Sequence, residues 1–177
     1  MKQKAPIVAV KNEAGKVGAP VAKAAAEQVG RMLGALGAPF VEVSVTFVDD
    51  FAIRDLNREF RKKNKPTDVL SFPQVDEPLA LVGAQSRPPT SGRSPASPAL
   101  LGDIVISVPT ALRQAEERDR SLSREIVTLL AHGLLHLFGF DHRTDAEERE
   151  MDAYARVLEA AALSRVPLAL TLARPSR

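Results

Sequence analysis

The 177 residues include no cysteine, and 24 basic side chains nearly balance 22 acidic ones. This excludes a disulfide scaffold, a cysteine zinc finger, an iron–sulfur site and a thiol nucleophile. With 45% hydrophobic residues the chain has the composition of one ordinary globular domain, and any basic footprint must be local.

No run approaches the roughly 18 apolar residues of a membrane span. The charged start and short apolar run ending at Val10 lack the core of a signal peptide. A cytoplasmic location is therefore expected, with no membrane partner.

Ile7 to Val10 reads as a short strand. Pro20 suits a first helical residue, Val21 to Leu36 is alanine-rich and helix-prone, and Gly37 and Pro39 stop it. Val41 to Val48 alternates with period two and is rich in β-branched residues, which predicts a strand. Asp49 or Asp50 can cap a helix to about Lys62, with Ile53, Leu56 and Phe60 inward. Pro66-Thr67 turns the chain into a strand from Asp68 to Phe72, ended by Pro73.

Gln74 to Leu101 is rich in proline and serine and is expected to be a mobile excursion within the domain. The strand signal resumes at Gly102 to Ser107. A helix from Pro109 to Arg118 follows, then one from Leu122 to Phe138 capped by Ser121 and apolar nearly all round from Ile126. Asp145 and Glu148 form a capping arrangement for a last helix to about Leu163, with Met151, Tyr154, Ala155 and Leu158 on one face. Short strands only partly alternating with helices predict an α+β fold. One domain is expected over residues 1–164, with 165–177 as a tail.

All three histidines lie in His132-Gly-Leu-Leu-His136-Leu-Phe-Gly139-Phe-Asp-His142. His132 and His136 are four apart on a helix, so both imidazoles leave one face. Gly139 lets the chain turn sharply, so that His142 can return to the same point. Three imidazoles with an open fourth position suit a catalytic zinc, one per chain. Core or capping histidines are the alternative, but buried imidazoles without partners each cost about 1–3 kcal/mol. The spacing matches H-E-x-x-H-x-x-G-x-x-H except that Gly133 replaces the glutamate that serves metallopeptidases as general base. Three neutral ligands leave the full charge on the metal, which favours an anionic substrate such as phosphate.

Between Arg54 and Lys65 lie Arg54, Arg58, Arg61, Lys62, Lys63 and Lys65, against Asp55 and Glu59. Most such runs are solvated helix faces, as is expected of Lys62 and Lys63. Arg61 closes its helix just before a strand that can lie beside the metal, where a guanidinium can hold a phosphate in two-point geometry. Asp141, next to a ligand, can orient an imidazole or serve only as a turn residue. Asp68 and Ser71 are weaker candidates for the cleft lining. Phe72, Phe138 and Phe140 are expected in the core.

The segment His132 to His142, preceded by Gly102-Asp-Ile-Val-Ile and by Leu56-Asn-Arg-Glu-Phe-Arg61 and Lys65-Pro-Thr-Asp-Val-Leu-Ser-Phe-Pro73, strongly resembles the YbeY family of bacterial rRNA maturation factors. The resemblance spans roughly Val41 to Leu163. It implies a central mixed sheet, a zinc bound by His132, His136 and His142, and a functional Arg61 beside the metal in a basic cleft. Arg58, Lys62, Lys63 and Lys65 of the basic segment are expected as further RNA contacts. It also implies a zinc-dependent, single-strand-specific endoribonuclease acting on rRNA, not DNA, in 16S rRNA 3′-end processing and ribosome quality control. The implied partners are rRNA and the small ribosomal subunit, including a small-subunit ribosomal protein. The 74–101 connection is longer than the family usually has. Two rival readings are a zinc peptidase, opposed by Gly133, and a non-enzymatic ribosome-assembly factor with structural zinc.

Overall fold

The computed structural model describes residues 6–15, 18–38, 40–78, 97–141 and 143–164. Alternating apolar residues build the strands β1 (Ile7–Asn12), β2 (Val41–Val48), β3 (Val69–Pro73) and β4 (Ala99–Ser107). They form one mixed sheet in the order β1-β2-β4-β3. β1, β2 and β4 run parallel, and β3 pairs antiparallel with β4 as an edge strand. The helices are α1 (Ala19–Ala35), α2 (Asp50–Arg61), α3 (Val108–Glu117), α4 (Leu122–Leu137) and α5 (Asp145–Leu163).

Period-two alternation divides the sheet between two cores. Val41, Val43, Val45, Phe47, Val69, Ile104 and Ile106 join the large core with buried residues of α1, α4 and α5. Val48, Leu70 and Val105 face the other way and pack on Ile53 of α2. α4 is apolar on most sides because it is covered on most sides, and Leu130, Leu134 and Leu135 expose nothing. Its first turn carries a fully buried carboxylate, Glu125, paired with Arg118 and Arg120.

Several ends differ from the sequence expectation. β4 begins at Ala99, because Ala99 and Leu100 pair with Val41 and Glu42 of β2 and the Gln74 amide donates to the Leu101 carbonyl at 3.0 Å. The two ends of the proline- and serine-rich connection are thus held in the sheet, while residues 79–96 lie outside the described residues. α5 is capped by Thr144 rather than Asp145: the Thr144 hydroxyl accepts from the Glu147 amide and the Glu147 carboxylate accepts from the Thr144 amide. Phe60 does not point inward; it is 58% exposed. Leu56 is only partly buried, so Ile53 and Asn57 are the buried residues of α2. Among the described residues no helix is long and apolar enough to cross a membrane.

Candidate active site

A cleft of about 660 Å³ opens along β3, the edge strand. Residues 67–73 line it continuously, Phe60 and Arg61 enter from the end of α2, and His132, His136, Gly139, Phe140 and Asp141 enter from α4 and the turn beyond it. Edge position is what permits this arrangement, since among the described residues no further strand separates α2 on one face from α4 on the other.

α4 lies close to the sheet because Gly133 has no side chain. A Cβ there would stand 3.0 Å from Ile104 Cγ2 and 3.2 Å from Ser71 Oγ. The Ser71 hydroxyl instead donates to the Gly133 carbonyl at 3.1 Å. This fixes the turn of α4 between the two histidines against β3.

His132 and His136 meet edge to face, with ring centroids 4.6 Å apart and Nε2 atoms 3.0 Å apart. After α4 the chain reverses at Gly139, whose φ of +87° suits glycine. The reversal returns the Phe140 carbonyl to 2.9 Å from His136 Nδ1. A carbonyl only accepts, so His136 donates from Nδ1, and in neutral imidazole this leaves the Nε2 lone pair for a metal. Tetrahedral zinc with Zn–N bonds of about 2.0–2.1 Å separates ligand nitrogens by about 3.4 Å. The observed pair is within a few tenths of an ångström of that spacing, so the two side chains fit such an ion. Among the described residues no third possible ligand joins them; His142 lies outside the described residues.

Of the basic residues singled out in the sequence, Arg61 lines the cleft, whereas Arg58, Lys62, Lys63 and Lys65 do not. Among the described residues Arg61 has no ion-pair partner. Arg58 pairs with Asp55 at 3.2 Å, and Lys62 Nζ donates to the Glu59 carbonyl at 2.9 Å. Lys63 and Lys65 are exposed in the loop beyond α2. That loop is organised by Asn57, a residue outside the expected site. It is 2% exposed, and its side-chain amide donates to the Lys65 carbonyl at 2.7 Å. Only its place one turn before the helix end marks it in the sequence.

Asp141 lines the cleft, and its Oδ2 accepts from Arg143 Nε at 2.6 Å. The acceptor that orients His136 is the Phe140 carbonyl, which no side-chain motif could reveal. Asp68 and Ser71 also line the cleft. Asp68 accepts from the adjacent Val69 amide at 2.8 Å, from the Thr67 hydroxyl at 3.1 Å and from the Gln114 side-chain amide at 3.0 Å, so its carboxylate ties the start of β3 to α3. Phe138 and Phe140 are buried, but Phe72 is half-exposed and meets Phe60 edge to face at 5.0 Å.

Paired imidazoles and an arginine thus share one cleft at the open edge of an α+β fold. The family model described as Endoribonuclease YbeY matches residues 8–161, and the chain belongs to that family. Endoribonuclease YbeY of Bacillus cereus strain G9842 is 44% identical over 128 residues, which are 70% of this chain and 75% of the relative. The proteins of the same name from Bacillus mycoides strain KBAB4 and Bacillus thuringiensis strain Al Hakam are 43% and 42% identical over the same length. The solution structure of TM1509 from Thermotoga maritima superposes with a TM-score of 0.58 at 24% identity, covering 88% of this chain and 89% of that one, and shares the fold. Family membership supports an endoribonuclease role.

Proposed function

We propose that this chain is a zinc-dependent, single-strand-specific endoribonuclease of rRNA maturation, acting at the 16S rRNA 3′ end and in ribosome quality control in the cytoplasm. One zinc would be held by His132, His136 and His142. The observation that carries the reading is the 3.0 Å approach of the two Nε2 atoms within the cleft that Arg61 also lines. When bound, zinc supplies Lewis acidity that polarises a phosphoryl oxygen and makes water a better nucleophile.

The chain's own residues do the rest. The Phe140 carbonyl keeps the His136 proton on Nδ1, and Ser71 holds the helix turn that spaces the imidazoles. Arg61 binds the scissile phosphate and offsets the charge that develops on it, with two parallel donors that a lysine lacks. The exposed Lys63 and Lys65 attract the rest of the RNA strand. Gly133 supports this reading over a peptidase, because the position of the peptidase base is occupied by a close helix–sheet contact. The partner surface belongs to the small ribosomal subunit, with a small-subunit ribosomal protein as its protein component.

The test is cleavage of precursor 16S rRNA and of generic peptides by the purified chain. Cleavage of the RNA alone supports the reading. Peptide cleavage, or an intact precursor in the presence of small subunits, contradicts it.

A further inference from the structure

Phe60 is out of place for an ordinary core residue. It sits at the inward period of α2, yet it exposes 58% of its surface and lines the cleft next to Arg61. Phe72 explains how the ring is held there. Phe72 packs on the small core formed by Val48, Ile53, Leu70 and Val105, which anchors it on β3. Its ring meets that of Phe60 at 5.0 Å and 67°, an edge-to-face contact that steadies Phe60 without covering it. The exposed Phe51 differs, because it lies outside the cleft lining and Arg54 stands over its ring at 5.3 Å.

We propose that Phe60, braced by Phe72, is a nucleobase-stacking subsite that seats one unpaired RNA base beside the phosphate bound at Arg61. This rests on the endoribonuclease reading and adds a specificity-determining residue to it. A nucleotide carries its base and phosphate on one sugar, so consecutive residues at the end of α2 can hold both. Every base has a π-face, so the subsite selects for an unpaired base and not for its identity. A base inside a duplex cannot offer that face without leaving its stack.

Binding of a short fluorescein-labelled single-stranded RNA, followed by anisotropy at fixed salt, tests this without requiring turnover. Phe60→Leu keeps apolar volume but loses the ring, and should raise Kd about tenfold. Phe60→Tyr should bind like wild type. Wild type should lose a similar factor when the same RNA is made abasic throughout, and Phe60→Leu should lose much less. Both variants should keep the wild-type melting temperature, because the residue is exposed. Equal binding by Phe60→Leu and wild type, or an equal abasic penalty in both, overturns the subsite. RNA that binds in this pattern but is never cut overturns the endoribonuclease reading and leaves the subsite standing. A wild-type chain that binds no RNA overturns both.

Discussion

The Ser71 hydroxyl and the Gly133 carbonyl are 3.1 Å apart, and that hydrogen bond fastens the edge strand to the turn of α4 between His132 and His136. Ser71→Ala removes the donor and keeps the Cβ. It should cost about 1 kcal/mol of stability. Cleavage should fall further than that, by about tenfold to a hundredfold, since small displacements of catalytic groups are costly. Thermal melting and RNA cleavage on the same preparation separate the two effects; unchanged cleavage would show that the turn is held without Ser71.

Gly133→Ala sets two terms against each other. Alanine gains about 1 kcal/mol in a helix interior. Its Cβ, however, would meet Ile104 at 3.0 Å and Ser71 at 3.2 Å, and overpacking typically costs about 1–3 kcal/mol. The variant should be less stable than wild type in urea unfolding, and Gly133→Glu much less stable still. Restoring the peptidase glutamate should yield no peptidase; a stable, peptide-cleaving Gly133→Glu protein would overturn the packing argument.

On the proposed reading Arg61 should contribute to chemistry and little to the fold. Arg61→Ala should leave the melting temperature within about 2 °C of wild type, as for an exposed residue. Its cleavage should fall about a hundredfold or more, the loss expected of one transition-state donor. Arg61→Lys should recover part of this, keeping the charge without the planar fork. Lys63→Ala should only weaken RNA binding and lessen its salt dependence. Normal cleavage by Arg61→Ala would remove the arginine from the site.

Acid stability has a local source at Asp50, at the start of α2. Burial pushes its carboxyl up, but hydrogen bonds from Ser107, Thr110 and Arg113, with the Arg113 charge, outweigh this and hold it below the ordinary 3.8. A depressed folded-state value means the stabilisation is present above 3.8 and is lost as pH falls through the folded value. Asp50→Asn should therefore melt lower than wild type at neutral pH, and the gap should shrink below the ordinary carboxylate range. A gap that stays constant across a pH series of melting curves would contradict this.

Elements with one dominant signal were legible in the sequence. β2 alternates cleanly, and α4 carries an apolar run closed by Gly139. Signals that depend on a neighbour were not. The start of β4 is set by pairing with Val41 and Glu42, which the prolines before it conceal. Phe60 has core periodicity, but α2 ends where the sheet has only its edge strand, so the ring meets Phe72 and solvent. The Phe140 carbonyl and the buried Asn57 act through backbone contacts that leave no motif. The capping box of α5 lies one residue before the pair the sequence suggests, because Asp145 and Glu148 have the same spacing as Thr144 and Glu147.

In the proposed function the paired imidazoles hold the metal with which this cleft cuts RNA. Its most direct test is cleavage of precursor 16S rRNA by untagged protein whose metal content is measured at each stage: as purified, after chelation, after zinc is returned, and for His136→Ala given the same zinc. The expected result is about one zinc per chain with cleavage, loss of both on chelation, return of both with zinc, and neither in His136→Ala. Full cleavage by the zinc-free protein, or an unchanged zinc content in His136→Ala, would contradict it.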